Sequence, residues 1–136
     1  MKNNILEVSN LNVIYGQNRG WSLAGGQDTF HAVKDVSFSV SKGDTLGIVG
    51  ESGSGKSSLV RAVLRAVEPA SGRSLFQSQS GEVDLTTLPH KDLVPLRREM
   101  RMIFQDPFSS LNPRMKVGDI VAEPLTIHLG YKRQHL

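Results

Sequence analysis

The eight residues from Gly50 to Ser57 constrain the fold of this chain more than any other part of its sequence. They read Gly-Glu-Ser-Gly-Ser-Gly-Lys-Ser and match the pattern G-x-x-x-x-G-K-[S/T] at every fixed position. A short apolar run, Thr45 to Val49, precedes the pattern and predicts a strand that is buried on both faces. An amphipathic segment, Leu59 to Val67, follows it and predicts a helix. A strand, a glycine-rich loop and a helix in this order predict a phosphate-binding P-loop.

Each residue type in this loop suits an anion. Glycines let the backbone turn tightly and approach a ligand closely, and successive amide N–H groups then form an anion-binding nest. Lys56 supplies a charge for β- and γ-phosphates, Ser57 offers a hydroxyl to Mg²⁺, and Ser58 is a candidate for the α-phosphate. We therefore expect ATP or a close relative, bound with Mg²⁺. The candidate binding residues are Gly50, Glu51, Ser52, Gly53, Ser54, Gly55, Lys56, Ser57 and Ser58. The alternative, a glycine- and serine-rich turn without a ligand, does not account for the complete pattern and its flanks.

Composition excludes several other classes of function. The 136 residues suffice for one domain with a real core, and the chain has no cysteine, which excludes disulfides, thiolate zinc sites and cysteine nucleophiles. The net charge of +3 is too weak to indicate nucleic-acid binding. The sequence shows no signal peptide and no apolar run near the roughly 18 residues of a membrane span, so any link to a membrane is expected to go through a partner.

Hydrophobic periodicity predicts the remaining elements. In the first half we expect strands at Leu11–Tyr15 and Val36–Val40, a loop at Gly16–Asp28 and an end to the first helix near Pro69. In the second half we expect an exposed connection over 70–81, a short strand at Gly81–Leu85 and a helical segment at Leu88–Met100, with Pro95 as a possible interruption. After this segment we expect a buried strand at Met102–Phe104, a structured loop at Gln105–Arg114, and a helix at Val117–Leu129 with a break near Pro124.

Four stretches, taken together, resemble the ATP-binding subunits of ABC transporters. They are LNVIYG at 11–16, AVKDVSFSV at 32–40, GDTLGIVGESGSGKSSL at 43–59 and MIFQDPFSSLNPRM at 102–115. The extension SSLNPRM is similar to the oligopeptide and dipeptide importers, a subfamily shared with nickel and related solute importers. The resemblance implies an α/β fold: a P-loop NTPase (ABC ATPase) core of mostly parallel strands, with an antiparallel β subdomain formed by the early strands.

The resemblance also implies a function, partners and two further site residues. Tyr15 matches the aromatic residue that stacks on adenine, although a strand-end core residue is the alternative. Gln105 matches the residue that contacts Mg²⁺ or the attacking water; the alternative is a loop-capping glutamine. With Lys56, Gln105 is the candidate catalytic residue of an ATP hydrolase that drives solute import, with peptide as the expected solute. The implied partners are transmembrane permease subunits, a second ATP-binding subunit (identical or different) and, indirectly, a solute-binding protein, at the cytoplasmic face of the cell membrane.

The second half of the family pattern does not follow Gln105. The signature LSGGQ, the Walker B aspartate, the catalytic glutamate and the switch histidine are not found there. We therefore expect residues 1–136 to be the N-terminal part of one nucleotide-binding domain, truncated before the signature, with the helical subdomain beginning at about 106–136. We expect this polypeptide to be near-inactive in hydrolysis and poorly soluble.

Two other features have ordinary interpretations. Ser22–Gln27 (SLAGGQ) resembles the signature loosely, but it precedes the P-loop and is interpreted as a loop. Arg97, Arg98 and Arg101 are interpreted as a solvated helix face.

Two other functions remain as alternatives. One is a non-transport ABC ATPase, such as a phosphonate-cleavage accessory protein with a similar P-loop, against which SSLNPRM argues. The other is a fragment that binds a nucleotide or a partner without turnover.

Overall fold

The computed structural model describes residues 4–17, 28–106 and 111–130. The chain forms two compact units, residues 1–90 and 91–136. Among the described residues, no helix has the length and apolar character needed to cross a membrane.

The first unit is built on a four-stranded antiparallel sheet in the order β2-β1-β3-β4. The strands are β1 (Asn4–Gln17), β2 (Asp28–Ser41), β3 (Ser71–Ser78) and β4 (Gly81–Asp84). The predicted strands at Leu11–Tyr15, Val36–Val40 and Gly81–Leu85 are confirmed, apart from Leu85, which follows β4. This sheet is the antiparallel β subdomain that the sequence led us to expect.

Helix α1 (Lys56–Val63) packs on β1 and β2. The core is a cluster of buried apolar side chains from these three elements, and its members are Val8, Leu11, Val13, Val33, Leu59, Ala62 and Val63. Burying each of the valine and leucine side chains contributes about 1.5–3 kcal/mol relative to leaving it exposed. The core therefore fixes the start of α1, and with it the end of the glycine-rich loop, against β2.

An irregularity in β1 is held by side-chain hydrogen bonds. Asn10 has a φ of 49°, and the β1–β2 register shifts between Val8 and Leu11. The Asn10 Nδ2 donates to Asp35 Oδ1 at 2.8 Å, and the backbone N–H of Asp35 donates to Asn12 Oδ1 at 2.9 Å. These bonds satisfy polar groups that the interrupted ladder leaves unpaired.

The two predicted buried strands are wrong for this chain. Residues 45–49 and 102–104 are not in strands; Val49 is 92% exposed and Ile103 is 93% exposed. A strand forms when a neighbour pairs with its N–H and C=O groups, and no described residue supplies that neighbour here. The parallel strands expected for the P-loop core are therefore absent from the described ranges, where every strand pair is antiparallel.

Helix α1 is shorter than the pattern predicted. It ends at Val63, because Leu64 leaves helical geometry and Arg65 adopts a φ of 53°. The Arg65 guanidinium donates to the Leu85 carbonyl at 2.6 Å and forms an ion pair with Glu68. Arg65 therefore lies beyond the end of α1, and its side chain reaches the residue that follows β4.

The segment 70–81 is not the exposed connection that the composition suggested. Most of it forms β3, which pairs with both β1 and β4. Its buried face carries Ser74, Phe76 and Ser78, so two of its three buried residues are polar. The Ser74 hydroxyl donates to the Val63 carbonyl at 3.1 Å, which satisfies an otherwise unpaired group at the end of α1.

The predicted loop Gly16–Asp28 is only partly described. Gly16 pairs with Thr29 and Gln17 with Asp28, so its ends belong to the β1–β2 hairpin. Residues 18–27, including the signature-like Ser22–Gln27, lie outside the described residues.

The second unit contains α2 (His90–Leu96), which begins at the boundary, and α3 (Val117–Leu129). Both helices were predicted. The expected break near Pro124 is wrong, because α3 continues through this proline to Leu129. Before α3, the Arg114 N–H donates to Asn112 Oδ1 at 3.0 Å, a side-chain turn that supports the predicted structured loop. Residues 107–110 of that loop lie outside the described ranges.

Candidate nucleotide-binding site

The glycine-rich loop ends where α1 begins. Gly55 is the N-cap residue of α1, with a φ of 90°, and its carbonyl accepts the Leu59 N–H at 2.8 Å. A Cβ at this position would collide with the backbone carbonyl oxygen of Ala32 in β2. Glycine is therefore required at position 55 for two reasons: the backbone there is left-handed, and it approaches β2 closely.

The Lys56 ammonium lies within the loop that precedes it. Its Nζ donates to the Gly50 carbonyl at 2.7 Å and to the Glu51 carbonyl at 2.5 Å. It also donates to Ser54 Oγ at 3.2 Å. The charge is thus placed at the centre of the loop, where the backbone curves around it.

The loop itself is closed by a tight turn. The Ser54 N–H donates to the Glu51 carbonyl at 3.2 Å. The Ser54 hydroxyl then lies against Gly50, whose φ is 155°, and a Cβ on Gly50 would lie 2.8 Å from that hydroxyl oxygen. The Ser54 hydroxyl therefore occupies the space over Gly50, and a side chain at position 50 would have to displace it.

A cleft of about 420 Å³ opens between the loop and β2. It is lined by His31, Ala32, Val33, Lys34, Val36, Ile48, Val49, Gly50, Ser54, Gly55, Lys56 and Leu59. Lys34 and Lys56 are both among these residues, and no aspartate or glutamate of the described chain is. The cleft therefore combines an apolar wall with positive charge, which suits an anion carrying an apolar group.

The arrangement fits a polyphosphate with its metal. Helix α1 begins with amide N–H groups that no residue of the helix can accept, its N-cap glycine has no side chain to bond them, and its first turn carries no acidic residue. Gly50 leaves room for the Ser54 hydroxyl, and Lys56 supplies a cation beside it. Ser57 is exposed in the first turn of α1, where its hydroxyl is accessible to a metal held by phosphate. Among the described residues, no group of three His, Asp or Glu side chains could hold a metal by itself.

Four of the nine loop residues expected to bind phosphate line the cleft, namely Gly50, Ser54, Gly55 and Lys56. Glu51, Ser52 and Gly53 lie between them in the chain and are exposed. Ser58 is half-buried in α1. The contacts of all nine with phosphate remain predictions.

Tyr15 lies near the end of β1, opposite Phe30 of β2. It is partly buried and packs against the core cluster. It is not among the residues that line the cleft. Its packing agrees with the alternative of a strand-end core residue, and its role in adenine stacking stays a prediction.

Gln105 lies in the second unit, in an exposed segment before α3. Lys56 and the cleft belong to the first unit, so the predicted cooperation of the two residues stays a prediction.

Sequence reasoning missed two contacts in this site. The carbonyl of Ala32 faces Gly55, and the hydroxyl of Ser54 contacts Lys56. The motif predicts neither contact. Ser54 stands at a motif position where any residue is allowed, and the amino-acid sequence does not show which backbone groups come close together.

This chain is similar to known proteins over most of its length. Residues 33–135 match the family model described as "ABC transporter". The oligopeptide transport ATP-binding protein OppF of Haemophilus influenzae is 45% identical over 91% of this chain and 36% of its own length. OppF of Bacillus subtilis is 44% identical over 94% of this chain and 38% of its own length. The chain thus spans somewhat more than a third of the length of these curated relatives.

A solved structure shares the fold. The dimeric structure of MJ0796, a bacterial ABC transporter cassette, aligns with a TM-score of 0.69 and 21% identity over 93% of this chain and 48% of that one. The P-loop NTPase fold class is therefore shared. The family model matches most of this chain, and the OppF relatives are more than 40% identical to it. This chain therefore belongs to the ABC transporter family.

Proposed function

We propose that this chain binds ATP as its magnesium complex through the loop at 50–58 and is part of the ATP-binding subunit of a peptide importer. Three observations support the proposal. Lys56 is enclosed by the loop, the cleft is positive and partly apolar, and the OppF relatives are named for oligopeptide transport.

Binding relies on groups of the chain's own backbone and side chains. Backbone N–H groups of the loop donate to phosphate oxygens, and the start of α1 adds the positive end of its dipole. Lys56 exchanges two neutral carbonyl partners for β- and γ-phosphate oxygens, because bonds between two charged groups are the stronger ones. Ser57 would hold Mg²⁺ through its hydroxyl, and the metal would supply neutralisation of charge on the phosphates.

Hydrolysis needs further residues. Gln105 would orient the attacking water or contact Mg²⁺, since an amide both accepts and donates hydrogen bonds. The sequence offers no apolar strand ending in Asp-Glu after Gln105, so nothing in these 136 residues supplies the metal carboxylate or the base. We expect turnover from this polypeptide to be near zero and nucleotide binding to persist.

In the complete protein, ATP lies between two ATP-binding subunits, identical or different, and its hydrolysis resets transmembrane permease subunits. A solute-binding protein delivers the solute, and the ATP-binding subunits sit at the cytoplasmic face of the membrane. Tyr15 stacks on adenine in this scheme. Residues 1–136 form the N-terminal part of one nucleotide-binding domain, and about 106–136 begin the helical subdomain that contacts the permease.

The position of Lys56 is the observation that carries the proposal, and calorimetric titration with Mg·ATP tests it. Lys56→Ala removes the only side-chain cation that hydrogen-bonds within the loop in the described structure. We expect it to weaken binding at least roughly 30-fold, which corresponds to about 2 kcal/mol.

Lys42→Ala is the matched control. Lys42 is an exposed lysine in the turn after β2 and does not line the cleft. This variant removes the same charge and should leave the affinity for Mg·ATP unchanged. Equal losses in both variants would mean that net charge, and not the loop, holds the nucleotide.

A further inference from the structure

The Ser54 side chain is the part of the loop that the motif does not explain. The pattern fixes glycine, lysine and serine or threonine at set positions and leaves position 54 open to any residue. Yet Ser54 Oγ lies 3.2 Å from Lys56 Nζ. A residue that the motif does not require therefore contacts the residue on which phosphate binding depends.

Three acceptors surround the Lys56 ammonium, and Ser54 supplies the only side chain among them. The other two are the backbone carbonyls of Gly50 and Glu51, at 2.7 and 2.5 Å. An ammonium has three donors and no acceptor, so these three bonds match its full capacity. The hydroxyl therefore completes a fixed position for a side chain that otherwise rotates freely about four bonds.

The turn holds the backbone of Ser54, and the Ser54 hydroxyl occupies the space over Gly50. The backbone N–H of Ser54 donates to the Glu51 carbonyl at 3.2 Å. Its hydroxyl lies over Gly50, at 2.8 Å from where a Cβ would stand on that glycine. Because Gly50 has no side chain, the hydroxyl can reach Lys56 from a position fixed by the turn.

We propose that Ser54 is a positioning residue: its hydroxyl holds the Lys56 ammonium over the loop and so favours ligands whose phosphate chain is long enough to reach that ammonium. The proposal rests on the proposed function, since it assumes that Lys56 binds β- and γ-phosphates. When a polyphosphate takes the places of the two carbonyls, the hydroxyl keeps its bond to the ammonium. Less rotational freedom is then lost on binding.

The first test needs no nucleotide. In the ¹⁵N-labelled chain, the Lys56 ammonium should give a side-chain N–H signal whose hydrogen exchange with water is slower than that of the exposed Lys34 and Lys42. Ser54→Ala should speed this exchange at least severalfold. An exchange rate for Lys56 equal to that of the exposed lysines in the unaltered chain would overturn the proposal, whether or not ATP binds.

The second test uses phosphate chain length. Ser54→Ala should weaken Mg·ATP binding about fivefold, as expected for losing one hydrogen bond to a charged group in an exposed site. Its affinity for AMP should stay within twofold of the unaltered chain, because AMP has no β- or γ-phosphate. A loop distorted by the substitution would instead lower the affinity for Mg·ATP and for AMP together, and that result would also overturn the proposal.

Ser54→Thr and Ser54→Val form a pair of nearly equal shape that keeps this test decisive if alanine disturbs folding. Threonine retains the hydroxyl and should preserve the preference for ATP over AMP, whereas valine should lose it. Ser39→Ala, at an exposed position of β2, is the control for loss of a serine hydroxyl and should change neither affinity. Equal ATP to AMP ratios in the threonine and valine variants would contradict the role given to Ser54.

Failure of the proposed function has a different signature. In that case the unaltered chain binds neither ATP nor AMP at millimolar concentration, while the Lys56 signal remains protected. Failure of the present inference leaves ATP binding intact and insensitive to position 54.

Discussion

Asp84 is a single carboxyl group whose surroundings make its ionised form part of the fold. Burial raises its pKa, but hydrogen bonds from the Thr86 hydroxyl, the Arg73 guanidinium and the Thr86 backbone N–H lower the pKa further than burial raises it, so the net shift is downward. The Thr86 Oγ1 lies at 2.6 Å and the Arg73 Nε at 3.0 Å from its carboxylate oxygens. The ionised group therefore joins β3, β4 and the turn that follows β4.

The sign of the shift gives a pH dependence. A carboxyl whose pKa is lower in the folded state contributes stability above its unfolded pKa of about 3.9, and loses that contribution as pH falls through the folded value. At pH 7, Asp84→Asn should lower the free energy of unfolding by about 1–3 kcal/mol, measured by urea denaturation. The difference between the two proteins should shrink as pH falls below about 3.9, because Asp84 then becomes protonated. A difference that persists or grows at low pH would contradict this account.

The contact between α1 and β2 shows at the element scale why the loop ends where it does. Gly55 and Gly43 both have a φ of 90°, but only Gly55 faces a neighbouring backbone, the carbonyl of Ala32. Gly43 has nothing within 4 Å of where its Cβ would stand. A comparison of the two positions therefore separates the energetic cost of a left-handed backbone from the cost of a steric collision.

Substituting alanine at both positions measures the two effects. Gly43→Ala should cost about 1 kcal/mol of stability, the strain of a left-handed residue other than glycine. Gly55→Ala should cost at least about 2 kcal/mol more, because α1 must move away from β2, and it should also weaken Mg·ATP binding. Denaturant midpoints give the comparison. Equal costs at the two positions would show that α1 does not need this close approach.

At the same scale, some elements followed from the sequence and others could not. Strand β2 was predictable because Val36, Phe38 and Val40 alternate with serines, and α3 because its apolar residues recur over its whole length. Strand β3 was missed because Ser74 and Ser78 occupy its buried face and hide the alternation. The early end of α1 depends on Arg65 reaching the Leu85 carbonyl, a tertiary contact that no local pattern reports.

The same limit applies to the candidate site. The motif located the loop and Lys56, since its fixed positions reflect the chemistry of phosphate binding. It could not show that Ser54 contacts Lys56 or that Ala32 faces Gly55, because both contacts arise from how the loop closes on itself and on β2. Tyr15 and Gln105 came from the family resemblance alone, and their roles stay predictions.

For the whole molecule, the pattern of apolar residues indicated more sheet than the described residues form. The run Thr45–Val49 and the segment Met102–Phe104 have strand-like sequences, yet Val49 and Ile103 are more than nine-tenths exposed. A sequence pattern reports which residues favour burial, and pairing requires a neighbouring strand as well. The expectation of poor solubility rests on unpaired strand edges and stays a prediction.

The central claim for the molecule is that the backbone of one loop, with Lys56 within it, holds a nucleotide. Hydrogen–deuterium exchange with and without saturating Mg·ATP tests it most directly, since bound phosphate protects the amides that bind it. We predict slower exchange concentrated at residues 50–58, little change in β3 and β4, and less protection of the loop in Lys56→Ala at a Mg·ATP concentration that just saturates the unaltered chain. Unchanged exchange at residues 50–58 in the presence of millimolar Mg·ATP would contradict the account.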